Sequence, residues 1–208
     1  MKHETELRVL LERALALVEP AQAQTASPLT IRVCQELIEH EGIVLEAYRD
    51  SVGVWTWGIG VTDKSGHLVG RYKDAPSTIE RVFEIFVWLL ENVYVPPVLR
   101  EFEGYRLTEA QFAAALSFNY NTGAIGSASW PDLWKLGKID EARASFLSWR
   151  KPVSIIPRRE KEVALFFEGT WSQDDLASVI PVRKPSYRPN YAEAVQIDIA
   201  EHLRRAMA

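Results

Sequence analysis

Two hydrophobic periods alternate along the chain. A spacing of three and four puts Leu7, Leu10, Leu11, Ala14, Leu17 and Val18 on one face, which predicts an amphipathic helix stopped by Pro20 and followed by a polar linker, Ala21 to Ser27. That face suits packing on the main domain, a dimer contact or a membrane contact equally in pattern. The same period returns from Ser27-Pro28 or Thr30 through Val33, Cys34, Leu37 and Ile38 to Glu41, with Gly42 as the stop. From Tyr48 to Thr62 the period falls to two, with a turn signal at Ser51-Val52-Gly53, so this stretch predicts a β-hairpin. In its second strand Val54, Thr56, Gly58 and Gly60 share one face, and Trp55, Trp57, Ile59 and Val61 the other. A further turn, Asp63 to Gly66, predicts a second short strand around His67 to Val69, with His67 in solvent.

Helical periodicity dominates from Ser77 onward. Ser77-Thr78-Ile79-Glu80 has capping-box form and opens a stripe of Ile79, Val82, Phe83, Phe86, Leu90 and Val93, predicted to end at Pro96-Pro97. Thr108-Glu109-Ala110-Gln111 repeats that signal ahead of a helix whose Ala113, Ala114 and Ala115 permit close packing. Pro181, Pro185 and Pro189 predict a loop, and Tyr191, Ala194, Val195, Ile199 and Leu203 a terminal helix. The organisation expected is therefore 1–27 (helix and linker), 28–175 (main domain) and 176–208 (loop and helix). The chain shows no internal repeat.

Composition narrows the function. The 208 residues are 47% hydrophobic with a net charge of −4, enough for a substantial core but without the basic field that captures nucleic acid or an anionic membrane. The apolar stretch near the start is broken by Glu12 and Arg13, so no signal-peptide core is expected, and the longest purely apolar run, Ile85 to Leu90, is too short to span a bilayer. A soluble protein without stable membrane insertion is expected. One cysteine, Cys34, excludes an intrachain disulfide and a thiolate zinc cluster, and its position on the apolar stripe suits a small buried residue. No metal or cofactor motif is present, since Gly58-Ile59-Gly60 lacks the third glycine and following helix of a dinucleotide site. Seven Trp exceed what such a core needs and suggest flat faces for sugar rings. Charge is uneven: five acids and one Arg lie between Glu36 and Asp50, whereas six bases and two acids lie between Arg143 and Glu162.

Candidate chemistry centres on three residues. Val33, Leu37 and Glu41 are spaced by four, so Glu41 continues the apolar face at a helix C-terminus, where burial and the helix dipole both favour a carboxyl that keeps its proton, as a general acid must. The alternative is a helix-end Glu paired with an Arg. Asp50, just before the turn, and Thr56, after it, can together hold a water molecule beside the side-chain-free Gly58 and Gly60. Equally, Asp50 caps its turn and Thr56 is only a good strand residue. Asn119 and Asn121 either donate to a polar ligand or are satisfied internally.

Glu41, eight intervening residues, Asp50, five more and Thr56, within EGIVLEAYRDSVGVWTWGIG, resemble the catalytic signature of T4-type phage lysozymes, glycoside hydrolase family 24. Tyr48, Gly42, Gly53, Gly58 and Gly60 also match; LTEAQFAAALSFNYNTGAIG resembles that family's central helix and PRREKEVALFFEGTW its Arg-rich helix. The resemblance runs from about Thr30 to Trp171, and departs at Val61, where many relatives carry His. It implies a mostly α, α+β lysozyme-like fold with a small β-hairpin lobe and a larger helical lobe, here with extra terminal helices, and a linking helix that hinges over the cleft. It implies a cofactor-free muramidase that cuts the β-1,4 bond between N-acetylmuramic acid and N-acetylglucosamine of bacterial peptidoglycan with inversion. Glu41 would be the acid, Asp50 and Thr56 the water site, and Gly58, Gly60, Asn119, Asn121 and Arg158 would bind substrate or support. Arg158 is the position expected to reach Glu41, opposing the effect of burial on its proton; Arg159 is expected at the surface. A monomer is expected, held in the host cytoplasm until release into the periplasm, or carried in a virion. The competing readings are a lytic transglycosylase and a silent wall-binding or assembly module.

Overall fold

The computed structural model describes residues 28–172 and 176–208. The helix predicted in the first twenty residues lies outside them. Helix α1, Ile31–Glu41, begins where the Thr30 hydroxyl accepts the amide of Val33 at 3.2 Å. It ends at Gly42, whose φ of +69° is open to glycine and costly for other residues. Its Val33, Cys34, Leu37 and Ile38 are fully buried.

Strands β1 (Val44–Arg49), β2 (Trp55–Gly58) and β3 (Val61–Thr62) form an antiparallel sheet in that order, with Tyr48 opposite Thr56 and Arg49 opposite Trp55. The predicted hairpin is present, but the third strand comes earlier than His67 to Val69. Gly58 and Gly60, both at positive φ, turn the chain back around Ile59, so pairing resumes at once with Val61. Residues 67–69 leave the sheet because Asp63 accepts the amide of Val69 at 2.8 Å and folds the segment into short 3₁₀ turns. His67 is not simply solvated: its ring stacks on Trp57 at 5.4 Å and its Nε2 lies 3.0 Å from the Tyr72 hydroxyl. Burial and the nearby Arg71 hold its pKa below the usual histidine value.

Helix α2, Ile79–Leu89, is capped by the Thr78 hydroxyl and buries Val82, Phe83, Phe86, Val87 and Leu89. It does not stop at the prolines. A π turn over Leu90–Tyr94, in which the Val95 amide donates to the Leu90 carbonyl, leads into α3, Val95–Glu101, with Pro96-Pro97 in its first turn. Proline there neither removes a needed donor nor strikes a regular α-helical carbonyl, so the helix continues. The 23-residue run Ile79–Glu101 is long and apolar enough to cross a membrane, yet much of it packs into the same core as α1.

Helix α4, Glu109–Thr122, has the predicted reciprocal capping box between Thr108 and Gln111 and is buried from Phe112 to Tyr120. Around it pack α5 (Trp130–Lys135), α6 (Ile139–Leu147) and α7 (Ile156–Glu168), joined by an aromatic cluster in which Trp130 stacks on Phe146 at 4.3 Å. Trp57 and Trp130 are fully buried, and among the described residues only Trp88 is an exposed tryptophan, so the surplus is spent mainly on the core rather than on open faces.

The C-terminal segment differs from the predicted loop and helix. Strand β4 (Leu176–Val179) pairs with β7 (Val195–Asp198), β5 (Val182–Arg183) pairs with β6 (Arg188–Pro189), and helix α8 is confined to Ala200–Ala206. The spacing of Tyr191, Ala194 and Val195 is compatible with a helix, but Ile197 opposite buried Ala177 follows the two-residue period of a strand. Asp198 then accepts the amide of Ala200 at 2.9 Å and starts the helix, and Ile199 and Leu203 are buried as the stripe predicts.

Candidate active site

Glu41 stands at the C-terminal end of α1, its side chain 19% exposed. Its Oε1 accepts a hydrogen bond from Nη1 of Arg158 on α7. Its Oε2 lies against Gly60: a Cβ built there would sit 2.7 Å from that oxygen. Gly60 is thus required twice, by its φ of +69° and by the carboxyl beside it. Tyr48, Tyr94 and Tyr120 surround the site. Burial raises the pKa of each phenol, and the charge of Glu41 adds to the effect, so they remain protonated donors. The Tyr120 hydroxyl donates to the carbonyl of Ile59, fixing the turn that carries Gly60.

Behind Glu41 lies a buried ionic network. Arg158 also donates through Nε to Glu162 at 2.9 Å and through Nη2 to the Ser117 carbonyl and hydroxyl, both at 3.1 Å. Burial opposes its charge, but Glu41 and Glu162 outweigh that cost and hold its pKa above the ordinary arginine value. Glu162 is fully buried and accepts in addition from the Ser117 hydroxyl at 2.6 Å and from Nη1 of Arg159. Two guanidinium groups thus face two carboxylates. The expected surface role of Arg159 does not hold: its side chain is 1% exposed, its Nε donates to the Trp149 carbonyl at 2.9 Å, and its Nη2 donates to Asn121 at 2.8 Å. It is held inward by the Glu162 carboxylate three residues on, which compensates its charge, while the Trp149 carbonyl and Asn121 take its remaining donors.

Asp50 follows β1 and is half-buried. Its Oδ1 accepts the amides of Val52 at 3.0 Å and Val54 at 2.8 Å, so it does cap its turn. Among the described residues its side-chain hydrogen bonds all fall on Oδ1. Tyr48 is opposite Thr56, and Asp50 lies two residues beyond Tyr48, so Asp50 and Thr56 share one face of the sheet as diagonal neighbours, roughly 7 Å apart at Cβ. The buried Thr56 hydroxyl donates to the Val54 carbonyl at 3.2 Å, which leaves its oxygen as an acceptor. Burial raises the Tyr48 pKa and the charges of both Glu41 and Asp50 add to it, so both carboxylates lie within electrostatic reach of that phenol.

The other candidates separate. Gly58 faces Val82 of α2, with a hypothetical Cβ 3.3 Å from its methyl, and so stands apart from Gly60. Asn119 is buried and donates to the Tyr94 carbonyl at 2.9 Å, an internal role, whereas Asn121 is exposed beside Arg159. Cys34 is buried, and burial pushes its thiol well above the usual range. Among the described residues no cluster of three His, Cys, Asp or Glu forms a metal site. Ser117 and Glu162 carry no sequence signal of their own, though the three- and four-residue spacing of Glu162 from Arg159 and Arg158 is that of helical ion pairs.

A profile of the phage lysozyme family matches residues 38–162. The endolysin of Salmonella phage P22 is 32% identical over 139 residues, which is 62% of this chain and 91% of that protein. The endolysin of Acyrthosiphon pisum secondary endosymbiont phage 1 is 29% identical over 140 residues, 61% of this chain and 89% of the other. A crystal structure of a P22 lysozyme variant superposes with a TM-score of 0.54 at 28% identity, covering 68% of this chain and 99% of that one. The muramidase domain of SpmX from Asticaccaulis excentricus gives 0.52 at 25% identity over 67% of this chain and 97% of that domain. Matched in sequence across most of its helical and β lobes and in fold over two thirds of its length, the chain belongs to the phage lysozyme family.

Proposed function

We propose that the chain is a peptidoglycan-degrading muramidase that hydrolyses the β-1,4 bond between N-acetylmuramic acid and N-acetylglucosamine with inversion. The observation that carries this reading is the placement of Glu41 beside the side-chain-free Gly60, with Asp50 and Thr56 on one face of the adjoining sheet. Glu41 delivers a proton from Oε2, the oxygen Arg158 does not hold, to the departing glycosidic oxygen. As that C–O bond breaks, a water donates one hydrogen to Asp50 Oδ2 and one to the Thr56 oxygen, and its lone pair attacks the anomeric carbon from the opposite face. Asp50 takes the proton, and solvent restores both carboxyl groups. Arg158 keeps the Glu41 side chain in one orientation, and Asn121, Tyr48 and Gly60 border the glycan.

The endolysin names of two relatives and the muramidase name of a structural neighbour support the substrate class. In this reading residues 28–175 form the catalytic unit and 176–208 an appended one. The protein works as a monomer on the cell wall without nucleic acid or membrane insertion, waiting in the host cytoplasm until release into the periplasm. Digestion of purified peptidoglycan by wild type and by Glu41→Gln tests the assignment. New reducing ends from the wild type and a loss of at least about 100-fold in the variant, with unchanged circular dichroism, are expected. Anhydro ends, or full activity in the variant, overturn it.

A further inference from the structure

Strand β1 runs from just after Glu41 to just before Asp50, and it is the outer strand of its sheet, so one of its edges is left unpaired by β2. Its register with β2 shifts between Val44 and Tyr48, so the ladder is interrupted along the backbone that separates the two carboxylates. The C-terminal segment takes up the free edge at both ends. Near Glu41, the Ile43 amide donates to the Ser178 carbonyl and the Ile180 amide to the Ile43 carbonyl, each at 2.8 Å. The Ile180 side chain also closes on Gly42, where a Cβ would lie 2.9 Å from its terminal methyl. Near Asp50, the Arg49 amide donates to the Tyr187 carbonyl at 2.7 Å, and Nη1 of Arg188 donates to the Asp50 carbonyl at 3.0 Å. The β5–β6 turn that presents these two groups is itself held: the Tyr187 hydroxyl donates to Asp74, and its ring meets Trp55 at 5.3 Å.

We propose that residues 176–208 form a positioning element of the catalytic site, clamping β1 at its two ends and thereby fixing Asp50 relative to Glu41, with Arg188 as the positioning residue at the Asp50 end. The inference rests on the catalytic reading of Glu41 and Asp50. Arg188 touches no reacting atom in this scheme. It holds the backbone carbonyl of Asp50, which also accepts the Gly53 amide at 3.1 Å, and so keeps the turn that aims the carboxylate. The clamp acts on turnover because a small misplacement of a group that must lie in line with the attacked carbon is expensive, whereas glycan binding is spread over the groove.

The test compares wild type, Arg188→Ala, Arg188→Lys and Asp50→Asn on purified peptidoglycan. Arg188 is exposed, so its replacement leaves the fold in place. Arg188→Ala is expected to lower kcat by about 10-fold with KM within about twofold and little change in melting temperature, and Arg188→Lys to recover at least half of the loss. An unchanged kcat in Arg188→Ala beside an inactive Asp50→Asn overturns the clamp while leaving Asp50 in its role. A loss confined to KM also overturns it, since Arg188 would then be a substrate contact. Wild-type turnover in Asp50→Asn removes the catalytic reading, and the clamp with it.

Discussion

Replacing Glu162 by Gln should destabilise the protein more than any single change near the cleft, without altering a residue that meets substrate. Glu162 is fully buried and accepts three hydrogen bonds: from Arg158 Nε, from Arg159 Nη1 and from the Ser117 hydroxyl. Glutamine keeps the shape but offers one acceptor oxygen, and its amide nitrogen faces donors where an acceptor is needed. The substitution also leaves Arg158 with Glu41 alone and Arg159 with no carboxylate in contact with it among the described residues. Breaking a buried pair from one side costs about 3–5 kcal/mol, because the remaining charge stays buried without compensation. For a chain of this size 1 kcal/mol moves the melting temperature by about 2–4 °C, so a drop of roughly 6–20 °C is expected in calorimetry. The double variant Glu162→Gln, Arg159→Met removes one stranded cation and should recover part of that loss. A drop below about 2 °C in the single variant, or strictly additive losses in the double one, would refute the claim that the network is a charge-balanced unit.

Proton binding, space and the water site offer further tests. The His40 side chain is 4% exposed; burial, with Arg158, Lys161 and Arg159 adding to it, lowers its pKa to about 3, although the Glu36 carboxylate lies 3.8 Å from Nε2. Because the folded pKa lies below the unfolded value near 6.5, the unfolded chain binds more protons between the two; stability is complete above pH 6.5 and lost as pH falls toward 3, by up to about 4–5 kcal/mol. His40→Gln should flatten the denaturation profile over that window, and a histidine NMR titration with a midpoint near 6.5 would contradict the burial argument. Gly60→Ala should abolish most activity by displacing the Glu41 carboxyl, whereas Gly66→Ala, at φ +85° with open space around it, should cost only about 1–2 kcal/mol of stability and no turnover. Equal activity in the two variants on peptidoglycan would show that the contact with Glu41 is immaterial. Thr56→Val should lower kcat by about 10- to 100-fold while Thr56→Ser retains most of it; parity between them would remove the hydroxyl from the water site.

What is legible in the sequence is local. The helix that ends at Glu41 follows from Thr30, the four-residue apolar spacing and Gly42, all of which act within a turn or two of the chain. The hairpin follows from alternation and its turn residues, and with it the shared face of Asp50 and Thr56. Arg158 is reached only through resemblance, because nothing near it in sequence points to Glu41, 117 residues away. Arg159 and Glu162 escape a sequence reading because charged residues on a helix usually face water, and these two are turned inward by distant partners, Ser117 and Asn121 of α4 and the Trp149 carbonyl. Pro96-Pro97 reads as a stop because a π turn leaves no compositional mark. The C-terminal strands are obscured for a related reason: β4 pairs with β7 across more than a dozen residues and the segment is further tied to Ile43 and Arg49, far back in the chain, so the bonds that select strand over helix are invisible locally.

The π turn between α2 and α3 has a consequence for how the two ends of that long rod are phased. A π turn accommodates one residue more than an α-turn, and Asn119 of the central helix grips the Tyr94 carbonyl at its margin. Deleting any one residue from Leu90 to Tyr94 would let the backbone close into an uninterrupted α-helix with little change in the facing of what lies beyond, because the turn spends its extra residue within about one revolution. Val95 and Val98 would keep the interior they now fill, but the prolines would fall where their rings collide with regular carbonyls. The surplus residue acts as a spacer, letting a single rod carry two adjacent prolines without turning its apolar side away from the interior.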